Sequence, residues 1–192
     1  VAADESGNIY NSLYQDFIVR KLSTDGSSAT IAGASGNNSI LSYPKGITVN
    51  KSGSRVVIAE WWAHRIRELN WKNNGTYQLT TLAGPVDGSI LGATDGKGSE
   101  ARFHNPTGVA MDDNGVVYVA DAQNNKIRKI VKNNNGEVTV STLAGTGIEG
   151  MANGKGKNAS FNYPCRLWVN PTGNLIYVSD RLNNLIRKIE LI

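Results

Sequence analysis

Two indoles stand side by side in "AEWWAHRIREL" (59–69), and the same stretch carries Glu60, His64 and Arg67. Side chains of these types suggest three kinds of chemistry. Trp61 and Trp62 could stack on a sugar ring or a base, and tryptophan is favoured where proteins grip one another. Arg67 belongs to a recurring set with Arg20, Arg128 and Arg187. Lys126, Lys129, Lys155, Lys157, Arg181 and Lys188 could join that set on one basic face, which would suit the phosphates of RNA. Against this, an acid lies seven residues before three of the four arginines: Glu60, Asp121 and Asp180. Across a hairpin with a four-residue tip, Asp121 pairs with Lys126, and Arg128 falls on the same face within diagonal reach of the carboxylate. The simpler reading is a structural ion pair repeated as Glu60–Arg67, Asp121–Arg128 and Asp180–Arg187.

Other chemistry finds little support. His64 and His104 are the two histidines, far apart in sequence, and no run of His, Asp or Glu has metal-ligand spacing. "DESG" (4–7) and "DDNG" (112–115) lack the later bidentate Glu of a calcium loop and suit tight turns. "GKGS" (96–99) lacks the spaced glycine of a phosphate-binding loop. Cys165, the single cysteine, excludes an internal disulfide and suits a small buried thiol. No catalytic residue, metal or cofactor is expected. Asn37, Asn50, Asn74 and Asn158 head N-x-[ST] sequons in expected loops or turns, a mild pointer to secretion. A net charge of +4 matters only if the basic side chains gather on one face, and no apolar run is long enough to insert in a membrane.

The elements that must hold these side chains follow from a repeat. "SRVVIAEWWAHRIREL" (54–69), "GVVYVADAQNNKIRKI" (115–130) and "GNLIYVSDRLNNLIRKI" (173–189) share one pattern, and "GNIYNSLYQDFIVRKL" (7–22) follows it more faintly. "YPKGITV" (43–49), "NPTGVAM" (105–111) and "YPCRLWV" (163–169) open units that close on "SSATIAG" (27–33), "TYQLTTLAG" (76–84) and "EVTVSTLAG" (137–145). Each unit reads as four short antiparallel strands joined by Asn/Gly turns, the arithmetic of a β-propeller blade.

The run P-x-G-[IV]-x-[VM], G-x-[IV]-Y-[VI]-[AS]-[DE], [KR]-I-R-[KE]-[IL], T-L-A-G resembles the NHL repeat over nearly the whole chain. The linkers "TDGKGSEARFHNPTG" (94–108) and "ANGKGKNASFNYPCR" (152–166) strengthen the likeness, with Phe103 and Phe161 placed to anchor each linker between blades. Arg166 departs from it by standing where Gly is usual, and Leu13 by replacing the acid of the first unit. The resemblance implies an all-β propeller of about six blades. About four are expected here, over 1–33, 43–84, 105–145 and 163–192, the others coming from a longer chain or another copy.

Strand parity gathers the tips 61–64, 122–125 and 181–184 with the linkers 34–43, 85–105 and 146–163 on one rim, where function on such scaffolds resides. Equivalent tips carry Ala122–Gln123 and Arg181–Leu182, so the fold does not demand the two indoles. Trp61, Trp62, His64, Gln123 and Arg181 are the candidate binding residues. The expected role is a non-catalytic binding or scaffold module, extracellular or at the cell surface, that meets a protein or glycan. RNA binding through a basic face is an alternative that the resemblance allows. A metal-dependent hydrolase or lyase with ligands in further blades is another.

Overall fold

A computed structural model describes every residue except Ser39, Ser89 and Ile192. The sequon Asn37-Asn38-Ser39 and the last residue of the fourth unit therefore fall partly outside the described residues. The first sheet comprises β1 (Ala2–Ala3), β2 (Ile9–Leu13), β3 (Ile18–Leu22) and β4 (Ser28–Gly33). The second comprises β5 (Pro44–Val49), β6 (Arg55–Glu60), β7 (Arg65–Trp71) and β8 (Tyr77–Ala83). The third runs β10 (Pro106–Met111), β11 (Val117–Asp121), β12 (Lys126–Lys132) and β13 (Val138–Ala144), with the two-residue β9 (Gly96–Lys97) added outside β13. The fourth has three strands among the described residues, β14 (Pro164–Val169), β15 (Leu175–Asp180) and β16 (Leu185–Glu190). All neighbours are antiparallel and consecutive except β9. The one departure from the expected meander is thus a linker that supplies an edge strand.

The sheets stack face to face, and the apolar faces of neighbouring blades supply the core. Tyr10, Val19, Ile47, Val56 and Ile58 fill the first seam, Val57, Ile66, Val109, Val119 and Ile130 the second, and Tyr118, Ile127, Ile176 and Val178 the third. Burying each of these side chains stabilises by about 1.5–3 kcal/mol. β11 is buried at all five positions because blades cover both its faces, which explains its unbroken apolar run.

The first strands of successive sheets, β1, β5, β10 and β14, contact one another in turn and line the axis. Glycine permits the approach. A Cβ on Gly46 would lie 2.5 Å from the Thr107 carbonyl oxygen, and one on Gly108 would lie 2.6 Å from that of Cys165. Gly84 and Gly145, closing the T-L-A-G runs, have φ of 99° and 105°, where an L side chain is strained. Added carbons there would meet the backbone of the adjacent hairpin tip.

The rim opposite the binding candidates is locked by turns. Asp112 Oδ1 accepts the Asn114 and Val116 N–H groups, while Tyr118 donates to Asp112 Oδ2 at 3.3 Å and to the Gly173 carbonyl of the next blade at 3.1 Å. Asp4, Tyr10 and Gly53 repeat the arrangement. "DESG" and "DDNG" are occupied as turns.

Candidate functional site

The second rim is stitched by the residues around each X-Pro step. Tyr43, Asn105 and Tyr163 precede the prolines with φ of 51°, 48° and 56°, and the last residue of each facing tip is also left-handed: Phe17, His64, Asn125 and Asn184. Backbone bonds join the two, Trp61 N–H donating to the Tyr43 carbonyl at 3.1 Å and Arg181 N–H to that of Tyr163 at 3.3 Å. Side chains add a second tie. Asn125 Oδ1 accepts the Tyr163 N–H at 2.9 Å, and His64 Nδ1 accepts the Asn105 N–H at 3.1 Å in the equivalent place.

The acid that ends each second strand serves the same rim. Glu60 accepts the Ser42 N–H, Asp121 that of His104 and Asp180 that of Asn162, each two residues before a proline. The other carboxylate oxygen takes an arginine. Arg128 meets Asp121 at 2.7 Å, with both side chains fully buried, and also donates to the carbonyls of Thr94 and Arg102 and to Asp95. Arg187 meets Asp180 at 3.0 Å and repeats the pattern with Ser160, Ala152 and Asn153. Phe103 and Phe161 are buried with those guanidinium groups 5.1 Å from their ring centroids. Burial pushes the Asp121 carboxyl upward while the Arg128 charge opposes it.

In the second blade Glu60 serves two arginines. The Arg65 Nε donates to it, and the expected partner Arg67 keeps its ion pair at 3.6 Å while donating to the Ile40 and Thr80 carbonyls. Sequence register alone does not separate the two arginines, which lie on opposite sides of a bulge between Ile66 and Arg67. In the first blade Arg20 is exposed and donates to Ser28.

Between the first two blades the rim carries five aromatic rings. Tyr43 lies 5.0 Å from Tyr14, 4.8 Å from Phe17, 6.4 Å from Trp61 and 6.3 Å from Trp62, and the two indoles are 5.8 Å apart. The pair is divided. Trp61 is half-buried against Tyr14 and its indole nitrogen has no hydrogen-bond partner among the described residues, whereas Trp62 is 59% exposed. Lys45, on the axial strand β5, places its ammonium 5.3 Å from the Trp61 ring centroid and 5.9 Å from that of Tyr14. Arg166, on β14, reaches toward the Lys45 carbonyl at 3.5 Å, and Arg181 lies 5.5 Å over Tyr163. Burial, then the charges of Arg166 and Arg181, hold the Lys45 ammonium below its ordinary value.

The other candidates are placed as follows. His64 turns inward, its ring 5.7 Å from His104, so the fold unites two histidines that the sequence separates. Burial, then His104, lowers its pKa. Gln123 is exposed on the third tip with its N–H on the His104 carbonyl. Tyr14, Tyr43, Lys45 and Tyr163 escaped the sequence reading, although the "YP" at 43 and 163 was a signal. Of the sequons, Asn74 and Asn158 are exposed, while Asn50 uses both ends of its amide on Ser54 and Arg55. Among the described residues, no group of three or more His, Cys, Asp or Glu side chains converges as for a metal, and no helix is long and apolar enough to cross a membrane. A groove of about 470 Å³ runs along β16, walled by residues 153–156 of the preceding linker and by Phe161 and Arg187.

Sequential antiparallel sheets of three to five strands, stacked about an axis and tied at one rim by recurring acid–arginine pairs, define a β-propeller. The NHL repeat profile matches residues 103–130. Over 181 residues, 92% of this chain and 16% of the other, the chain is 33% identical to the chloroplastic protein Suppressor of Quenching 1 of Arabidopsis thaliana. It is 35% identical over 145 residues to human NHL repeat-containing protein 2, covering 74% of this chain and 18% of that protein. An auxiliary nutrient binding protein of Bacteroides ovatus superposes with a TM-score of 0.76 at 20% identity, over 97% of this chain and 46% of its own. The chain belongs to the NHL-repeat β-propellers, and it spans less than a fifth of these two relatives' length.

Proposed function

We propose that the chain is a non-catalytic binding module that presents the rim carrying Trp61 and Trp62 to a protein or glycan partner. The observation that carries the reading is Trp62, an indole 59% exposed at the edge of a five-ring cluster, at a tip position that the other blades fill with Gln15, Gln123 and Leu182. Exposing so much apolar surface is unfavourable without a partner to cover it. The flat rings suit the face of a sugar, and the rigid indole suits a protein hot spot. The Bacteroides ovatus protein of like fold is named for nutrient binding, which agrees with a ligand-holding role. Exposed sequons at Asn74 and Asn158 agree with an extracellular or cell-surface setting, and the greater length of the relatives agrees with further blades in a longer polypeptide.

The basic-face alternative receives less support. Lys157 is engaged with Asp95 at 3.5 Å, Lys188 with Glu190 at 2.9 Å, and Arg128 and Arg187 are buried in their ion pairs. The test is a glycan array and an extracellular-protein screen with the wild-type chain and with Trp62→Ala. The reading expects a partner whose binding the variant abolishes. Partners that bind both chains equally would remove this rim from the account.

A further inference from the structure

Lys45 on β5 and Arg166 on β14 meet at the axial mouth beside the aromatic cluster, and Arg181, on the tip between β15 and β16 and over the Tyr163 ring, adds its charge to the field at Lys45. Among the described residues, none of the three has an ion-pair partner within 4 Å, although Arg55, Arg65, Arg67, Arg128 and Arg187 all do. The carboxylate on the neighbouring first tip, Asp16, is exposed and forms no ion pair with them. Packing does not account for Arg166. Arg166 occupies the place that Gly46 and Gly108 hold on the preceding inner strands, where the need is close backbone approach and not charge. Its guanidinium extends across the axis toward the second blade, to 3.5 Å from the Lys45 carbonyl. Like charges held together, one on half-buried Lys45 and two on the exposed Arg166 and Arg181, repel one another, and an anion seated among them relieves that repulsion.

Resting on the binding-module reading above, we propose that this mouth recognises an acidic saccharide, its carboxylate or sulfate held by Lys45, Arg166 and Arg181 and its ring resting on the Trp62 side of the aromatic cluster. The scale of the site favours a sugar over an RNA strand. Three cations at one mouth match one anionic group, whereas a nucleic acid needs a track of basic side chains along successive phosphates. Here Lys157 and Lys188 are paired with carboxylates, which interrupts such a track at those two positions. The rings around Tyr43 offer apolar faces next to the charges, the combination that a sugar with one polar edge and one C–H face requires.

The test is titration of the full chain with a glucuronate-containing tetrasaccharide, its neutral glucose counterpart and a short single-stranded RNA, read by tryptophan fluorescence and calorimetry. The variants are Arg166→Gly with Arg181→Ala, both at exposed positions, and Trp62→Ala. The wild-type chain is expected to prefer the acidic tetrasaccharide by about tenfold or more, with the preference falling as salt rises. The double arginine variant should keep an unchanged melting temperature, bind both sugars alike and so lose that preference. Trp62→Ala should weaken both sugars together. Equal affinity of the wild-type chain for both sugars, or a preference that survives the double variant, overturns the charged mouth while leaving the aromatic rim standing. Failure to bind either sugar, or tighter binding of the RNA, overturns the saccharide assignment. Indifference of every partner to Trp62→Ala instead overturns the rim reading itself.

Discussion

His64 joins the second blade to the third through an acceptor that a proton destroys. Its Nδ1 accepts the Asn105 N–H at 3.1 Å, so the ring is neutral with its hydrogen on Nε2. Burial, then the nearby His104, lowers its pKa from the ordinary value near 6.5. The sign follows from linkage. The unfolded chain takes up the proton more readily, so the contribution of neutral His64 is fully present above about pH 6.5 and is lost as pH falls through the lower folded-state value. His64→Asn keeps an acceptor, as Asn125 does for Tyr163 at the equivalent place, and asparagine tolerates the φ of 53° better than histidine does. At pH 7.5 that variant should therefore lie within about 1 kcal/mol of wild type. His64→Ala leaves the Asn105 N–H without its acceptor and puts a Cβ without local hydrogen bonding in the left-handed region, a loss of about 2–4 kcal/mol. Urea unfolding at pH 7.5 and 5.5 measures both effects. Wild type should lose more stability on acidification than His64→Asn, with His104→Asn as the control for the other ring. An identical pH response in wild type and His64→Asn would refute the reasoning.

Removing one partner from the buried Asp121–Arg128 pair should be costly: Arg128→Met is expected to lose about 3–5 kcal/mol in urea unfolding, and Asp121→Asn added to it should restore part of the loss. Tyr118→Phe removes two hydrogen bonds, to Asp112 and to Gly173, and should destabilise by about 1–2 kcal/mol in the same assay. The Tyr118 hydroxyl, pushed up to about 12 chiefly by burial, should show no ultraviolet titration as a free tyrosine at pH 10.

The fold was legible because its repeat is written in residue types with local physical meaning. The apolar runs at 117–121 and 56–60 mark strands covered on both faces, and the terminal glycines of the T-L-A-G runs mark strand ends where no side chain fits. The linker strand β9 was not legible, because a Gly-Lys pair has no strand pattern and owes its place to Asp95, which holds Arg128 and Thr142. The rim was half legible. Trp61 and Trp62 stood out because the third and fourth tips carry Ala122–Gln123 and Arg181–Leu182 in their place. That Tyr14, Phe17 and Tyr43 would meet them depends on left-handed residues in two separate loops, and sequence pattern carries no term for that meeting. Lys45 and Arg166 lie 121 positions apart on strands that meet only across the axis. For the same reason the contacts of His64 with His104 and Asn105 were not legible.

The indoles give the most direct measurement, since Trp71 lies on an exposed strand position away from the aromatic rim and serves as an internal control. Adding a partner to isotope-labelled protein and following the indole N–H resonances should shift those of Trp61 and Trp62 and leave Trp71 in place. Movement of Trp71 with Trp61 and Trp62 silent would contradict the account.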